Sequence, residues 1–195
     1  MEYLVNIITK HFVKKKVICK DNEKIYAYGF KLIFSDILNF CIIMLIASIV
    51  QLPISGAVFL ITLCCIRKHS GGFHAKSFFW CRTAMIITFC TVIATSVIIE
   101  KFNYSMVIVS TINITSFIII SILSPIEHYK KKLTETQKKK NKVKAIVFTG
   151  LGIIISTVLY YNGYIEGIVI SVTLAAIVVL MIIGLFKMKG GVKNV

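Results

Sequence analysis

The chain is poor in acid. Against 23 Lys and Arg it carries 8 Asp and Glu, for a net charge of +15. It has no CxxC pair, which leaves structural zinc of the usual kind without support. Its six cysteines (19, 41, 64, 65, 81 and 90) lack the spacing of a disulfide-rich secreted domain. Most of them sit in apolar runs, where Cys behaves as a small hydrophobe. The first lysines follow the first short apolar run rather than precede it, and no small-residue cleavage site appears. The N-terminus therefore does not read as a cleavable signal. There is no internal repeat and no stretch that reads as a separate soluble domain, so 1–195 is expected to be a single membrane domain.

What the chain does have is apolar length. Of its 195 residues 57% are hydrophobic, with a mean hydropathy of +0.84. Long apolar runs at this composition indicate an integral membrane protein. A membrane helix needs roughly 20 mostly apolar residues. Stretches 30–52, 78–99, 104–124, 145–161 and 165–186 supply them, although the first contains Asp36 and Asn39. Stretch 53–66 is shorter, and Pro53 fits a first helical turn. The links at 100–103 and 162–164 are short enough to favour antiparallel hairpins. The expected fold is all-α, with about six transmembrane helices.

Charge gives the orientation, because cytoplasmic segments carry the excess of Lys and Arg. Lysines 10, 14, 15, 16, 20 and 24 predict a cytoplasmic N-terminus. Six spans then put 67–77, 125–144 and the C-terminus on the same side, where nearly all remaining basic residues fall. Failure of span 53–66 to cross would reverse the later segments and place the basic block after Ser124 outside. The basic clusters lie between apolar spans, so topology and anionic lipid account for most of them and nucleic acid is not an expected partner. Residues 1–28 read either as a surface-lying amphipathic helix or as a solvated basic lead-in.

One polar island breaks the apolar pattern. Residues 67–77 run Arg-Lys-His-Ser-Gly-Gly-Phe-His-Ala-Lys-Ser, and Cys81 follows. An isolated Cys at this position would read as a packed thiol. Ser77 as N-cap would start a helix near Phe78 and put Cys81 in its first turn. Backbone N–H groups there, with a cation such as Arg82 or Lys76, favour the nucleophilic thiolate. His74 is the natural base. On one continuous helix it would stand ~10.5 Å from Cys81 along the axis, too far for proton transfer. Gly71-Gly72 supplies the backbone freedom for a turn between helices that brings the imidazole to the thiol.

The alternatives are weaker. His69 is a second candidate base, twelve residues from Cys81. Cys64, Cys65, His69, His74 and Cys81 fit no standard zinc pattern, HExxH is absent, and no Glu lies near His74, so no metal is expected. Asp36 or Asn39 reads as an interhelical polar contact before it reads as an orienting group for His74. His11 and His128 lie in basic segments and read as solvated. A peptide exporter and a zinc-dependent intramembrane hydrolase are the rival functions. The first has little support because the spans hold few polar groups.

The pattern Arg67-x-x-x-Gly71-Gly72-x-His74-Ala75-x(5)-Cys81 resembles the accessory gene regulator protein B (AgrB) family of bacterial membrane endopeptidases. Ser124-Pro125 followed by Lys130-Lys131-Lys132 is a second match, and length and span layout agree. The resemblance implies a protease of the bacterial cell membrane, active on the cytoplasmic side. It would cut the acidic C-terminal tail from a small quorum-sensing propeptide and promote thiolactone or lactone closure. It also implies a homodimer and no cofactor. Carried over, Cys81 is the nucleophile and His74 the base, with Arg67, Gly71 and Gly72 supporting them. Lys130, Lys131 and Lys132 match the family's basic stretch. The 125–144 segment holds eight Lys and two Glu, and capture of an acidic tail is a second use for it beside topology.

Overall fold

A computed structural model describes residues 2–15, 19, 22–71, 78–101, 105–126 and 134–191; at 2–4, 6, 78, 105 and 187–191 it describes the backbone. Seven helices carry the described residues: α1 (Glu2–Lys14), α2 (Glu23–Ile49), α3 (Pro53–Ser70), α4 (Phe78–Glu100), α5 (Ser105–Leu123), α6 (Glu135–Tyr161) and α7 (Ile165–Gly191). The all-α membrane fold is as expected. Five helices, α2 and α4 to α7, are long and apolar enough to cross a membrane. The sixth expected span, α3, is not among them. Its 18 residues reach ~27 Å, but its last turn is Arg67, Lys68 and His69.

Two helices begin earlier than hydropathy suggests. α2 starts at Glu23, ahead of its apolar run. α6 starts at Glu135, so half of the basic segment expected as a loop is helix. The cause is local. The Thr134 side chain accepts from the Gln137 backbone N–H, and the Gln137 side chain accepts from the Thr134 N–H. This reciprocal cap satisfies two otherwise orphaned donors. An ion pair of 2.8 Å from Lys138 to Glu135 adds to it.

The chain forms two compact units, Met1–Ile46 and Ala47–Val195. In the first, Val5 and Thr9 of α1 are buried one helical turn apart, and Phe12 stacks on Phe30 of α2 at 5.7 Å. Glu2–Lys14 of the N-terminal segment is thus helical, with Val5 and Thr9 on its buried side. On α2, Ser35, Asn39 and Ile43 are buried at helical spacing, while Asp36 is exposed.

In the second unit α7 is the centre and packs against α3, α4, α5 and α6. Residues 167 to 174 are buried without a break, as expected of a helix surrounded on all sides. α7 approaches α6 closely at Gly167, where an added Cβ would lie 2.5 Å from the Tyr160 nitrogen and 2.6 Å from the Ser156 carbonyl oxygen. Small residues at such crossings let backbones come together. Ser55, near the start of α3, donates to Glu166, near the start of α7, at 3.1 Å. The two helices therefore run parallel, and their far ends lie at the same end of the bundle.

Candidate functional site

α3 and α4 are antiparallel neighbours. Phe59 of α3 meets Phe89 of α4 with ring centroids 5.2 Å apart, both rings fully buried. One turn further along each helix the contact opens into a recess. It is lined by Leu63 and Arg67 of α3, by Cys81, Met85 and Thr88 of α4, and by Leu180 of α7, and is narrow, with a volume of about 10 Å³, room for about one water molecule. The spacings are helical: 59, 63 and 67 follow one face of α3, and 81, 85 and 88 follow one face of α4. Arg67 and Cys81 stand at the same end of the recess as a consequence of this register.

Cys81 lies in the first turn of α4, as the sequence leads one to expect. It is half-buried, whereas Cys41, Cys64, Cys65 and Cys90 are exposed on the helices that carry them. The N-terminal turn of α4 directs backbone N–H groups toward its end, where negative charge is favoured. Thr88 donates its hydroxyl to the Ala84 carbonyl at 2.7 Å, and Arg67 and Cys81 are the ionisable residues of the recess.

α3 and α4 are not one continuous helix. α3 ends at Ser70 and α4 begins at Phe78. Gly71 caps α3 with φ 76° and ψ −161°, and its N–H donates to the Arg67 carbonyl at 3.1 Å. That value of φ favours glycine. Gly72, His74 and the proposed N-cap Ser77 lie outside the described residues, as do Lys130, Lys131 and Lys132.

His69 is placed away from Cys81. Two residues along a helix is a rotation of about 200°, so His69 faces the other side of α3 from Arg67. There it stacks on Phe148 of α6, with centroids 5.5 Å apart and planes 4° from parallel. Its Nδ1 is buried with no hydrogen-bond partner among the described residues. Among the described residues no three His, Cys, Asp or Glu side chains are grouped to hold a metal.

Two features escaped the sequence reading. The first is a buried polar cluster between α5, α6 and α7. The Ser156 hydroxyl lies 2.7 Å from that of Ser171 and donates to the Gly167 carbonyl at 2.8 Å, while Asn113 donates to Ser156 at 3.4 Å. The second is a backbone pairing of Gly71 with Ile126. Its sequence signals were Gly71 itself and Ser124-Pro125, whose peptide bond is cis.

The model of the accessory gene regulator B family matches residues 2–183 of the chain. The chain belongs to that family. It is 27% identical over 154 residues to the accessory gene regulator protein B of Staphylococcus aureus strain Newman, covering 79% of each chain. It is 28% identical over 154 residues to the putative AgrB-like protein 2 of Clostridium perfringens strain 13, covering 73% of this chain and 72% of that one. A putative AgrB-like protein of C. perfringens strain SM101 is 27% identical over 168 residues. No solved structure matches. Membership ties the chain to the accessory gene regulator system and so to a peptide precursor in quorum sensing.

Proposed function

We propose that the protein is a membrane-embedded cysteine endopeptidase that removes the acidic C-terminal tail of a small quorum-sensing propeptide. The observation that carries this is the recess shared by Arg67 and Cys81, at the end of the bundle where the segment bearing His74 joins α3 to α4. Family membership supports it.

The chemistry follows from the groups. His74 takes the Cys81 proton, and the sulfur attacks the carbonyl at the tail junction. Backbone N–H groups in the first turn of α4 and the Arg67 guanidinium stabilise the oxyanion. The C–N bond breaks, His74 returns the proton to the leaving amine, and the tail departs. The remaining peptide is held on Cys81 as a thioester. An internal thiol or hydroxyl of the peptide then attacks, releasing the Cys81 thiol and a thiolactone or lactone. Exchange of one thioester for another is near energetic balance, whereas closing the ring directly from an amide is uphill. Exclusion of water favours the ring over hydrolysis.

The positive-inside pattern supports a bacterial cell membrane location with the site facing the cytoplasm. Lys130, Lys131 and Lys132 are the proposed tail-binding cations, and a homodimer is the assembly that the resemblance implies. Reconstitution with an acidic-tailed propeptide tests the reading. Cys81→Ser and His74→Ala are each expected to lower cleavage by at least about 10³-fold, with a chelator having no effect. Cleavage that survives Cys81→Ser sinks the thiol mechanism, and loss on chelation replaces it with a metal.

A further inference from the structure

The end of the larger unit away from Cys81 holds a second and roomier cavity. Glu100 is the last residue of α4, about 28 Å along the helix axis from Cys81. Glu100 and three tyrosines of the α6–α7 hairpin, Tyr160, Tyr161 and Tyr164, line a cavity of about 310 Å³, with the buried Ile168 of α7 among its walls. That size lies at the lower end of the ~300–1,000 Å³ range of small-molecule sites.

The hairpin is held by its own backbone. The N–H groups of Asn162, Gly163 and Tyr164 donate to the carbonyls of Val158, Tyr160 and Leu159 at 3.2, 3.0 and 3.0 Å. Gly163 takes φ 78°, a value that favours glycine. The rings of Tyr160 and Tyr161 stand 69° to each other with centroids 6.2 Å apart, so they supply two differently inclined walls. A hairpin fixed in this way leaves little ordering for a ligand to impose.

The lining has the chemistry of a cation site. A carboxylate is negative, and the face of a phenol ring attracts an ammonium through its quadrupole. The Glu100 carboxylate makes no hydrogen bond or ion pair with any described residue. Among the described Lys and Arg side chains of the larger unit, only Lys101 lies at this end. Glu166, at the start of α7, adds a second negative charge there. The end is therefore poor in cations on a chain whose net charge is +15. One carboxylate and three phenols are too few hard ligands for calcium or magnesium, which take six or more oxygens. Tyrosines at a membrane interface commonly serve as anchors, but anchoring calls for neither a shared cavity nor a carboxylate within it.

We propose that Glu100, Tyr160, Tyr161 and Tyr164 form a binding site for an organic ammonium group carried by a headgroup-sized amine. Glu100 supplies the countercharge and the tyrosine rings supply the cage. The site is separate from the reaction proposed above and does not depend on it.

The test uses the full-length protein in phosphatidylglycerol nanodiscs, with choline as the probe and dimethylbutanol, its uncharged isostere, as the control. Binding is read by NMR saturation transfer to the methyl protons of each. Choline is expected to bind at least about tenfold more tightly than the isostere. Glu100→Gln is expected to weaken choline at least about fivefold, and Tyr164→Leu about two- to fivefold. Glu166→Gln, whose carboxylate does not line the cavity and accepts from Ser55, is expected to leave choline affinity within about twofold. Equal affinity for choline and the isostere overturns the proposal, as does choline binding unmoved by Glu100→Gln; the tyrosines are then anchors only. Replacing part of the lipid by phosphatidylethanolamine separates two sources of the ammonium. Weakened choline binding assigns the site to a lipid headgroup, and unchanged binding assigns it to a free amine.

Discussion

Two helix pairs in the larger unit, α3–α4 and α6–α7, are built in opposite ways. At α6–α7 the backbones nearly touch through Gly167, and hydroxyls of Ser156 and Ser171 are spent on each other and on the Gly167 carbonyl. At α3–α4 one aromatic pair makes the contact, and the helices then part to leave Arg67 and Cys81 around a recess. The first arrangement spends its polar atoms on stability. The second sets a cation and a thiol at one recess. The proposed nucleophile has to be approached by a substrate carbonyl, and a glycine-and-serine seam leaves no gap for such an approach.

The largest way to break the contrast is at Arg67. Arg67→Met keeps the apolar stem and removes the charge. It is expected to lower kcat/KM by about 10²-fold, the scale of losing one oxyanion donor. Arg67→Lys should fall between, since an ammonium lacks the planar fork of donors. The rival role for Arg67 is the ordinary one of a cation in the last turn of α3. Wild-type turnover by Arg67→Met, assayed on the same propeptide, would assign it that role alone.

The opposite experiment sits at Gly167. Gly167→Ala puts a Cβ against the backbone of α6, and overpacking of this kind costs about 1–3 kcal/mol. Thermal unfolding in a mild detergent should therefore come several degrees earlier, at about 2–4 °C per kcal/mol for a chain of this size. Cleavage per folded molecule should not change. A variant with normal stability and lost activity would mean that the seam also serves the chemistry, and the division between the two pairs would fail.

How much of this the sequence discloses depends on the range of the cause. The apolar segments are legible because burial in a membrane is a property of each segment, and every one of them is a helix. The weakness of α3 is legible for the same reason. The early start of α6 is also local: Thr134 with Gln137 three residues on is a readable cap, but the lysines around it suggest a loop to a reading by hydropathy. The helix start near Phe78 follows from the polar-to-apolar switch. The meeting of Arg67 with Cys81 does not, because it depends on the register of two antiparallel helices. The exclusion of His69 depends on the same register, because it lies almost opposite Arg67 on α3 and faces away from Cys81 only once Arg67 is known to face it. Gly71 was readable as a turn glycine, but the close approach that leaves no room for a Cβ comes from Ile126, beyond two intervening helices. The serines of α6 and α7 look like noise in apolar runs until the helices are packed together.

The smallest effect is the most informative about the seam. Ser156 contacts Asn113, Ser171 and the Gly167 carbonyl, and it is fully buried. In a membrane an interhelical hydrogen bond contributes about 0.6 kcal/mol on average, because the separated helices find other partners. Ser156→Ala should therefore cost about 1 kcal/mol, most of it from Ser171 and Gly167, since the 3.4 Å bond from Asn113 is long. In a double-mutant cycle with Ser171→Ala, measured by reversible unfolding, the coupling should be about 0.5 kcal/mol or more. A coupling of zero would mean that the two hydroxyls merely fill the space that Gly167 creates. The α6–α7 seam would then owe its strength to backbone proximity alone, and the contrast with α3–α4 would be one of packing and not of polar chemistry.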